Sequence, residues 1–154
     1  MSACRKPEQY SIIPKIKLIS FEKYIDKSAQ LVFSFQDGDG DLGLNDNDIM
    51  KPPFDSTSYY HYNFICDYYE KRNGIFVKID SIKKNGSMEP FNLNSRFPRL
   101  SNLPEESING EIYITQNPYY DASSPYDTIK LSFFIVDRQL HHSDTITFET
   151  TTKP

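Results

Sequence analysis

Apolar side chains recur at every second position through most of this chain, whereas the 3.6-residue spacing of an amphipathic helix is not sustained anywhere. The pattern is clearest between residues 127 and 137, where Ile129, Leu131, Phe133 and Ile135 share one face. Aromatic residues make up 14% of the sequence, and aromatic and β-branched side chains favour strands. The alternation therefore predicts an all-β protein.

The alternating runs predict strands at 15–21, 30–36, 63–72, 75–82, 127–137 and 144–150, with short further strands after residue 86 and at 111–115. Asn-Gly pairs at 73–74, 85–86 and 109–110 fall between such runs, and Asn-Gly is typical of two-residue hairpin turns. About seven or eight short strands indicate an antiparallel, immunoglobulin-like β-sandwich. Because the Cys…Trp…Cys pattern of antibody domains is missing, fibronectin-type and cadherin-like sandwiches are the nearer comparison.

The 154 residues suit one domain with a real core. We expect a tether at 1–14, a single sandwich domain at 15–150 and a frayed C-terminus at 151–154, in a monomeric protein. The pI near 5.3 argues against a basic nucleic-acid-binding face. No apolar run reaches the length of about 18 residues that a membrane-spanning helix needs.

Five aspartates between residues 37 and 48 form the most unusual motif, and neither Lys nor Arg lies among them. They are Asp37, Asp39, Asp41, Asp46 and Asp48. The chain has 21 acidic and 17 basic residues, so this segment accounts for its whole acidic excess. Neighbouring like charges repel by about 1–3 kcal/mol, and a bound cation would remove that cost.

The chemistry of the segment favours calcium, which takes about six to eight oxygen ligands in flexible geometry. Gly38 and Gly40 let alternate carboxylates curve around one centre. Magnesium fits less well because its sites use one or two carboxylates and keep several waters. An EF-hand is excluded, because Leu42 stands where that loop needs glycine and strands flank the segment. The alternative is a solvated acidic turn.

The predicted strand order places the 37–62 loop and the 138–143 loop at the same end of the sandwich. Asp137 then lies level with Asp37 and joins the candidate ligands. We therefore predict a structural calcium site made from Asp37, Asp39, Asp41, Asp46, Asp48 and Asp137. The 37–62 loop is much longer than an ordinary connection, which also points to a functional segment.

Tyrosines concentrate at the ends of two loops and are candidates for a recognition surface. They are Tyr59, Tyr60, Tyr62, Tyr119 and Tyr120. Rigid amphipathic rings at loop ends are common in protein and sugar recognition. The alternative is that they cap an end of the sandwich or cover a sheet.

The two cysteines have different contexts. Cys66 alternates with Phe64 and Tyr68, which indicates a small buried hydrophobe. Cys4, in Met1-Ser-Ala-Cys4, resembles the lipobox that ends a bacterial lipoprotein signal. Because the charged and apolar parts of a signal peptide are missing, an ordinary cytoplasmic N-terminus is equally open.

Together, the Cys4–Glu8 segment, the Asp-Gly repeat after Phe33, the Tyr68–Gly74 segment and Ile135-Val-Asp-Arg138 resemble small bacterial cell-envelope lipoproteins of unknown function. The resemblance implies an immunoglobulin-like fold, a lipid on Cys4 that anchors the protein to a membrane, and an envelope location. It implies neither a substrate nor catalytic residues.

The leading hypothesis is thus a lipid-anchored, calcium-stabilised β-sandwich that serves as a binding or accessory module for a protein or glycan partner. A nucleophile motif such as Gly-x-Ser-x-Gly is absent, which disfavours an enzyme. Two alternatives are a glycan hydrolase that uses the loop carboxylates and a purely structural domain without metal.

Overall fold

The computed structural model describes residues 9–103 and 106–153, and it confirms the all-β prediction. The strands in these ranges are β1 (Lys15–Lys23), β2 (Ala29–Asp37), β3 (Phe64–Arg72), β4 (Ile75–Lys78), β5 (Ser81–Lys84), β6 (Ser87–Pro90), β7 (Ile108–Gln116), β8 (Thr128–Ile135) and β9 (Ile146–Thr151). Two short 3₁₀ helices, Asp46–Met50 and Tyr59–His61, are the only helical elements in the described residues. Neither comes near the length and apolarity required to cross a membrane.

The strands form two main antiparallel sheets. One has the order β1-β2-β7 and the other the order β4-β3-β8-β9, while β5 and β6 form a separate hairpin. Every neighbouring pair of strands is antiparallel, including the non-consecutive pairs β2–β7 and β3–β8.

The two main sheets pack face to face through aromatic rings, in a sandwich-like arrangement. The ring of Phe33 on β2 lies 5.9 Å from that of Phe64 on β3 and 5.3 Å from that of Phe133 on β8. All three side chains are fully buried, and burial of each stabilises the fold by about 1.5–3 kcal/mol. The inward positions of the alternating runs therefore form the core.

The long loops gather at one end of this arrangement. β2 and β8 end there and β3 and β7 begin there, because Asp37 pairs with Ile108 and Phe64 pairs with Ile135. We call this the acidic end; it carries the loops 38–63 and 136–145. The opposite end carries the loops 24–28 and 117–127.

Two of the three predicted Asn-Gly turns are confirmed. Asn73-Gly74 and Asn85-Gly86 have positive φ at both residues and connect β3 to β4 and β5 to β6. The prediction was wrong at Asn109-Gly110, which lies inside β7. There Gly110 pairs with Phe35, and an added Cβ would lie 3.3 Å from the Phe35 ring.

The predicted strand 75–82 was also wrong, because the structure divides it. β4 ends at Lys78 and β5 begins at Ser81. Between them Ile79 is buried, and its N–H donates to the carbonyl oxygen of Tyr68 (2.9 Å). The chain then leaves the β3 edge to form the separate hairpin.

The predicted limits of the domain were too narrow at both described ends. Within the expected tether, Pro14 is buried and the carbonyl oxygen of Ser11 accepts the N–H of Gly38 (2.8 Å). At the expected frayed end, β9 includes Thr151, and buried Thr152 donates its N–H to the carbonyl oxygen of Asp127 (2.8 Å). Cys4 lies outside the described residues.

Candidate metal centre

The chain after β2 folds back on itself, because two leucines anchor it to the core. Leu42 and Leu44 are 0% and 3% exposed. Gly40 and Gly43 have φ of 68° and 90°, a region that favours glycine. A Cβ would lie 2.3 Å from the carbonyl oxygen of Glu106 at the first and 2.0 Å from that of Pro98 at the second. Glycine is thus required twice for this loop to pack.

Two side chains from the chain before β7, Arg99 and Ser107, hold the loop in place. The guanidinium of Arg99 donates to the carbonyl oxygens of Gly40 (3.1 Å) and Leu42 (3.3 Å). The hydroxyl of Ser107 donates to the carbonyl oxygen of Gly38 (3.0 Å). These hydrogen bonds to its backbone carbonyl oxygens therefore fix the curve of the Asp-Gly repeat, and its carboxylates take no part in them.

Three carboxylates converge at the acidic end. Oxygen atoms of Asp37, Asp41 and Asp137 all lie within 4.8 Å of one another. Asp37 ends β2, Asp41 lies in the loop that follows, and Asp137 comes two residues after β8. The structure thus brings Asp137 beside Asp37 as the strand order predicted, and this acidic cluster could hold a metal ion.

Several carboxylate oxygens of the acidic cluster and of the neighbouring Asp39 have no hydrogen-bond partner among the described residues. Both oxygens of Asp37 are buried and unpartnered among the described residues, and so are Oδ1 of Asp39 and Oδ1 of Asp41. Asp37 is 0% exposed. A buried charge without a partner is costly, and a cation beside these oxygens would offset that cost.

The environment raises the pKa of each carboxyl in the acidic cluster. Burial, with the charges of Asp39, Asp41 and Asp137, raises the pKa of Asp37 to about 7, although the backbone N–H of Leu42 opposes the change. Burial and the charges of Asp137 and Asp39 raise the pKa of Asp41 to about 6. Burial also raises the pKa of Asp137, although hydrogen bonds from His141 oppose the change. Without a cation, these groups resist ionisation together.

His141 holds the carboxylate of Asp137 in place through two contacts. Its backbone N–H donates to Oδ1 of Asp137 (2.8 Å), and its Nδ1 lies 2.8 Å from Oδ2. The hydrogen bond with Asp137 raises the pKa of the imidazole. Hydrogen bonds of this kind commonly orient the ligands of metal sites.

The sequence reasoning missed Gln139, which links the two loops of the site. Its side-chain amide donates to Oδ2 of Asp39 (2.6 Å), and its backbone N–H donates to Oδ2 of Asp41 (3.2 Å). In the sequence, only its position two residues after Asp137 indicated that Gln139 belongs to the site. Oδ1 of both aspartates has no hydrogen-bond partner in the part of the chain that the structure describes.

Asp46 and Asp48 lie in the 3₁₀ helix and outside the acidic cluster. Asp46 is exposed. Asp48 forms an ion pair with Arg138 and accepts the N–H of Asn45 (2.6 Å). The structure therefore brings only part of the predicted ligand set together, because an arginine from the 138–143 loop neutralises Asp48.

The five tyrosines do not form one recognition surface. Tyr119 is 0% exposed, packs edge-on against Phe21 at 5.5 Å and donates its hydroxyl to the carbonyl oxygen of Thr151 (3.3 Å). It is a core residue at the end opposite the acidic cluster, with half-buried Tyr120 beside it. Tyr59, Tyr60 and Tyr62 precede β3 at the acidic end. Only these three can share a surface there.

The prediction for Cys66 is confirmed. The side chain is 3% exposed within the core, and burial raises the pKa of its thiol. A buried, protonated thiol is a poor nucleophile.

Comparison with protein-family models, curated proteins and solved structures found no match for this chain. Its function is therefore inferred from the geometry of its own residues.

Proposed function

We propose that the chain is a calcium-binding, immunoglobulin-like β-sandwich whose cation has a structural role. The ion would join the 38–63 loop to the 136–145 loop and fix a binding surface at the acidic end. The observation that carries this proposal is Asp37, which is 0% exposed with both oxygens unpartnered, beside the carboxylates of Asp41 and Asp137.

The donor set favours calcium over other metals. The potential ligand atoms that converge among the described residues are carboxylate oxygens, which calcium prefers, and Nδ1 of His141 is engaged with Asp137. Asp37, Asp39 and Asp41 together supply four unpartnered oxygens, and Asp137 adds to them. Magnesium would need to keep several waters, which suits a site with such buried carboxylates poorly.

The topology supports an immunoglobulin-like fold of the fibronectin type. The order β1-β2-β7 corresponds to strands A-B-E of such sandwiches, and β4-β3-β8-β9 corresponds to C′-C-F-G. The β5–β6 hairpin is then an insertion before strand E. In such folds the loops at one end commonly form a binding surface.

Burial of the carboxylates disfavours the glycan hydrolase. Asp37 and Asp137 are 0% and 1% exposed. Glycoside hydrolysis requires two carboxylates that flank a bound sugar with space for an attacking water or an open nucleophile. Buried carboxylates that share one small volume are better suited to a cation.

We propose, from the resemblance of residues 1–4 to a lipobox, that Cys4 carries lipid and anchors the module in a bacterial cell envelope. Expression of the natural gene in bacteria fed a labelled fatty acid tests this. We expect label on the wild-type protein and none on Cys4→Ser. Absence of label from the wild type as well as from the variant would contradict lipidation at Cys4.

Calcium titration calorimetry, with thermal unfolding in calcium and in chelator, tests the metal site. We expect heat of binding and a higher melting temperature in calcium for the wild type, and neither for Asp37→Asn. Asp127→Asn is the matched control, because it removes the same charge from an exposed site at the opposite end. Absence of binding heat with an unchanged melting temperature would overturn the proposal.

A further inference from the structure

A cleft of about 230 Å³ lies between β3, the 3₁₀ helix Tyr59–His61 and the segments 78–80 and 91–94. One part of its lining is aromatic or aliphatic: Tyr59, Ile65, Ile79 and Phe91. The other part is polar: Asp67, Lys78, Asp80, Asn92 and Asn94. An apolar surface with a few converging polar groups is the usual form of a small-ligand site.

The ring of Tyr59 forms one wall of the cleft. Tyr59 is 62% exposed. The ring of Tyr60 supports it edge-on at 5.1 Å. The hydroxyl of Tyr60 in turn lies 3.1 Å from Nε2 of His142. The open ring is thus held by its neighbours, which lowers the entropic cost of placing a ligand against it.

Two asparagines offer donors to the cleft. Oδ1 of Asn94 accepts the backbone N–H of Cys66 (2.9 Å), and Oδ1 of Asn92 accepts the N–H of Asn94 (3.2 Å). Because backbone groups fix both amide oxygens, the side-chain NH₂ groups are the atoms available to a ligand.

The charged groups of the cleft neutralise one another. Nζ of Lys78 lies 3.0 Å from Oδ1 of Asp67 and 3.5 Å from Oδ1 of Asp80. One ammonium between two carboxylates leaves no excess positive charge, so a phosphate or sulfate group would be disfavoured. The carboxylates remain strong acceptors for hydroxyl groups.

We propose that this cleft binds a neutral sugar unit of a glycan, with the apolar face of the sugar on the Tyr59 ring. Its hydroxyls would donate to Asp67 and Asp80 and accept from the amides of Asn92 and Asn94. A neutral polyol with one apolar face matches each of these features. The inference rests on the proposed role as a binding module, and the cation is not part of the cleft.

A panel of neutral and acidic glycans, followed by calorimetry on the ligands that bind, tests the proposal. We expect a neutral glycan to bind the wild type, and Tyr59→Ala to weaken that binding by about tenfold or more. Tyr113→Ala is the matched control, since Tyr113 is 59% exposed on β7 of the other sheet. Asn92→Asp should weaken binding with little change in the melting temperature, because it removes the NH₂ donor but keeps the oxygen that accepts the N–H of Asn94.

Three results would overturn the proposal: no neutral glycan binds the folded protein, only acidic glycans bind, or Tyr113→Ala weakens binding as much as Tyr59→Ala. Calcium calorimetry on the same preparations separates this proposal from the metal site. Tyr59→Ala should keep the calcium affinity of the wild type. Glycan binding without any calcium binding would leave the cleft supported and overturn the metal site alone.

Discussion

Two regions of this protein bury a carboxylate completely, and they differ in what surrounds it. Glu70 on β3 and Asp37 at the end of β2 are both 0% exposed. Oε2 of Glu70 accepts from Nε (2.9 Å) and from a terminal nitrogen (2.6 Å) of Arg72, and Oε1 accepts the hydroxyl of Tyr68 (3.2 Å). Both oxygens of Asp37 are unpartnered, and its neighbours are further carboxylates.

The difference shows how each buried charge is balanced. Near Glu70 the chain supplies its own cation, Arg72, whose guanidinium also lies 5.0 Å from the ring of Tyr126. At the acidic end Arg138 pairs with Asp48 and Arg99 with carbonyl oxygens of the loop, and no cationic side chain among the described residues forms an ion pair with Asp37. The balancing charge for Asp37 must therefore be a proton or an ion from solution.

Removing the internal cation should produce the largest loss of stability. Arg72→Met would leave Glu70 buried without a counter-charge, and a buried carboxylate stranded in this way generally costs about 3–5 kcal/mol. We expect the lower part of that range, because the Arg72 side chain is 39% exposed and water can approach. Urea unfolding measures the change, and calcium should not reverse it.

Two further variants make this result specific. Lys83→Met removes a positive charge from an exposed position on β5 and should leave stability nearly unchanged. Glu70→Gln combined with Arg72→Met should recover most of the loss, because the buried charge is gone. Equal stability of Arg72→Met and the wild type would show that Glu70 does not depend on its partner.

Supplying the external cation should produce the next largest effect. Calcium at about a hundredfold excess over its Kd should raise the free energy of unfolding by about 2.7 kcal/mol. Asp37→Asn should reverse the ranking: in chelator it should be at least as stable as the wild type, and in calcium less stable. Chemical unfolding of both proteins under both conditions measures this. If Asp37→Asn is less stable than the wild type even in chelator, the charge of Asp37 is not a burden to the metal-free fold.

The strands were predictable because burial imposes a period of two on the sequence. The convergence of Asp37 and Asp137 was predictable from the topology, because Asp37 ends β2, Asp137 follows β8, and both strands end at the acidic end. The Asn-Gly pairs show the limit. Asn73-Gly74 and Asn109-Gly110 look alike locally, yet only the second must accommodate the Phe35 ring inside a sheet.

Other features depend on contacts between distant residues that no local pattern reveals. Asp48 belonged to the predicted ligand set by spacing, but Arg138, 90 residues away, pairs with it. Tyr119 lies in the loop after β7, where an exposed ring would be expected, yet it packs against Phe21 and donates to Thr151 in the interior. The burial of Glu70 could have been predicted from the sequence, because Glu70 alternates with Tyr68 and Cys66 on the inward face of β3.

The metal-free protein should lose stability as the pH rises. The ordinary pKa of Asp37 is 3.8 and the folded value is about 7, so between these values the folded state retains a proton that the unfolded state has released. The contribution of Asp37 to the free energy of unfolding is therefore greatest below pH 4 and falls until about pH 7. Between pH 5 and 7 this contribution decreases by about 2 kcal/mol.

Unfolding in chelator across this range measures the slope. In calcium the slope should reverse, because the ion binds the deprotonated carboxylates. Asp37→Asn in chelator should show a much flatter profile than the wild type. An equal slope in the variant would assign the pH dependence to groups other than Asp37.

The smallest expected effect separates the two kinds of aspartate within the acidic segment. Asp48→Asn removes the ion pair with Arg138, whose side chains are 13% and 32% exposed, and should cost about 1 kcal/mol or less. Its calcium affinity should stay close to that of the wild type, because Asp48 is paired outside the acidic cluster. Asp41→Asn should instead weaken calcium binding while relieving repulsion in the metal-free protein. Calorimetry on the two variants measures this contrast. An equal loss of calcium affinity in Asp48→Asn and Asp41→Asn would show that Asp48 is a ligand, which leaves Arg138 when calcium binds.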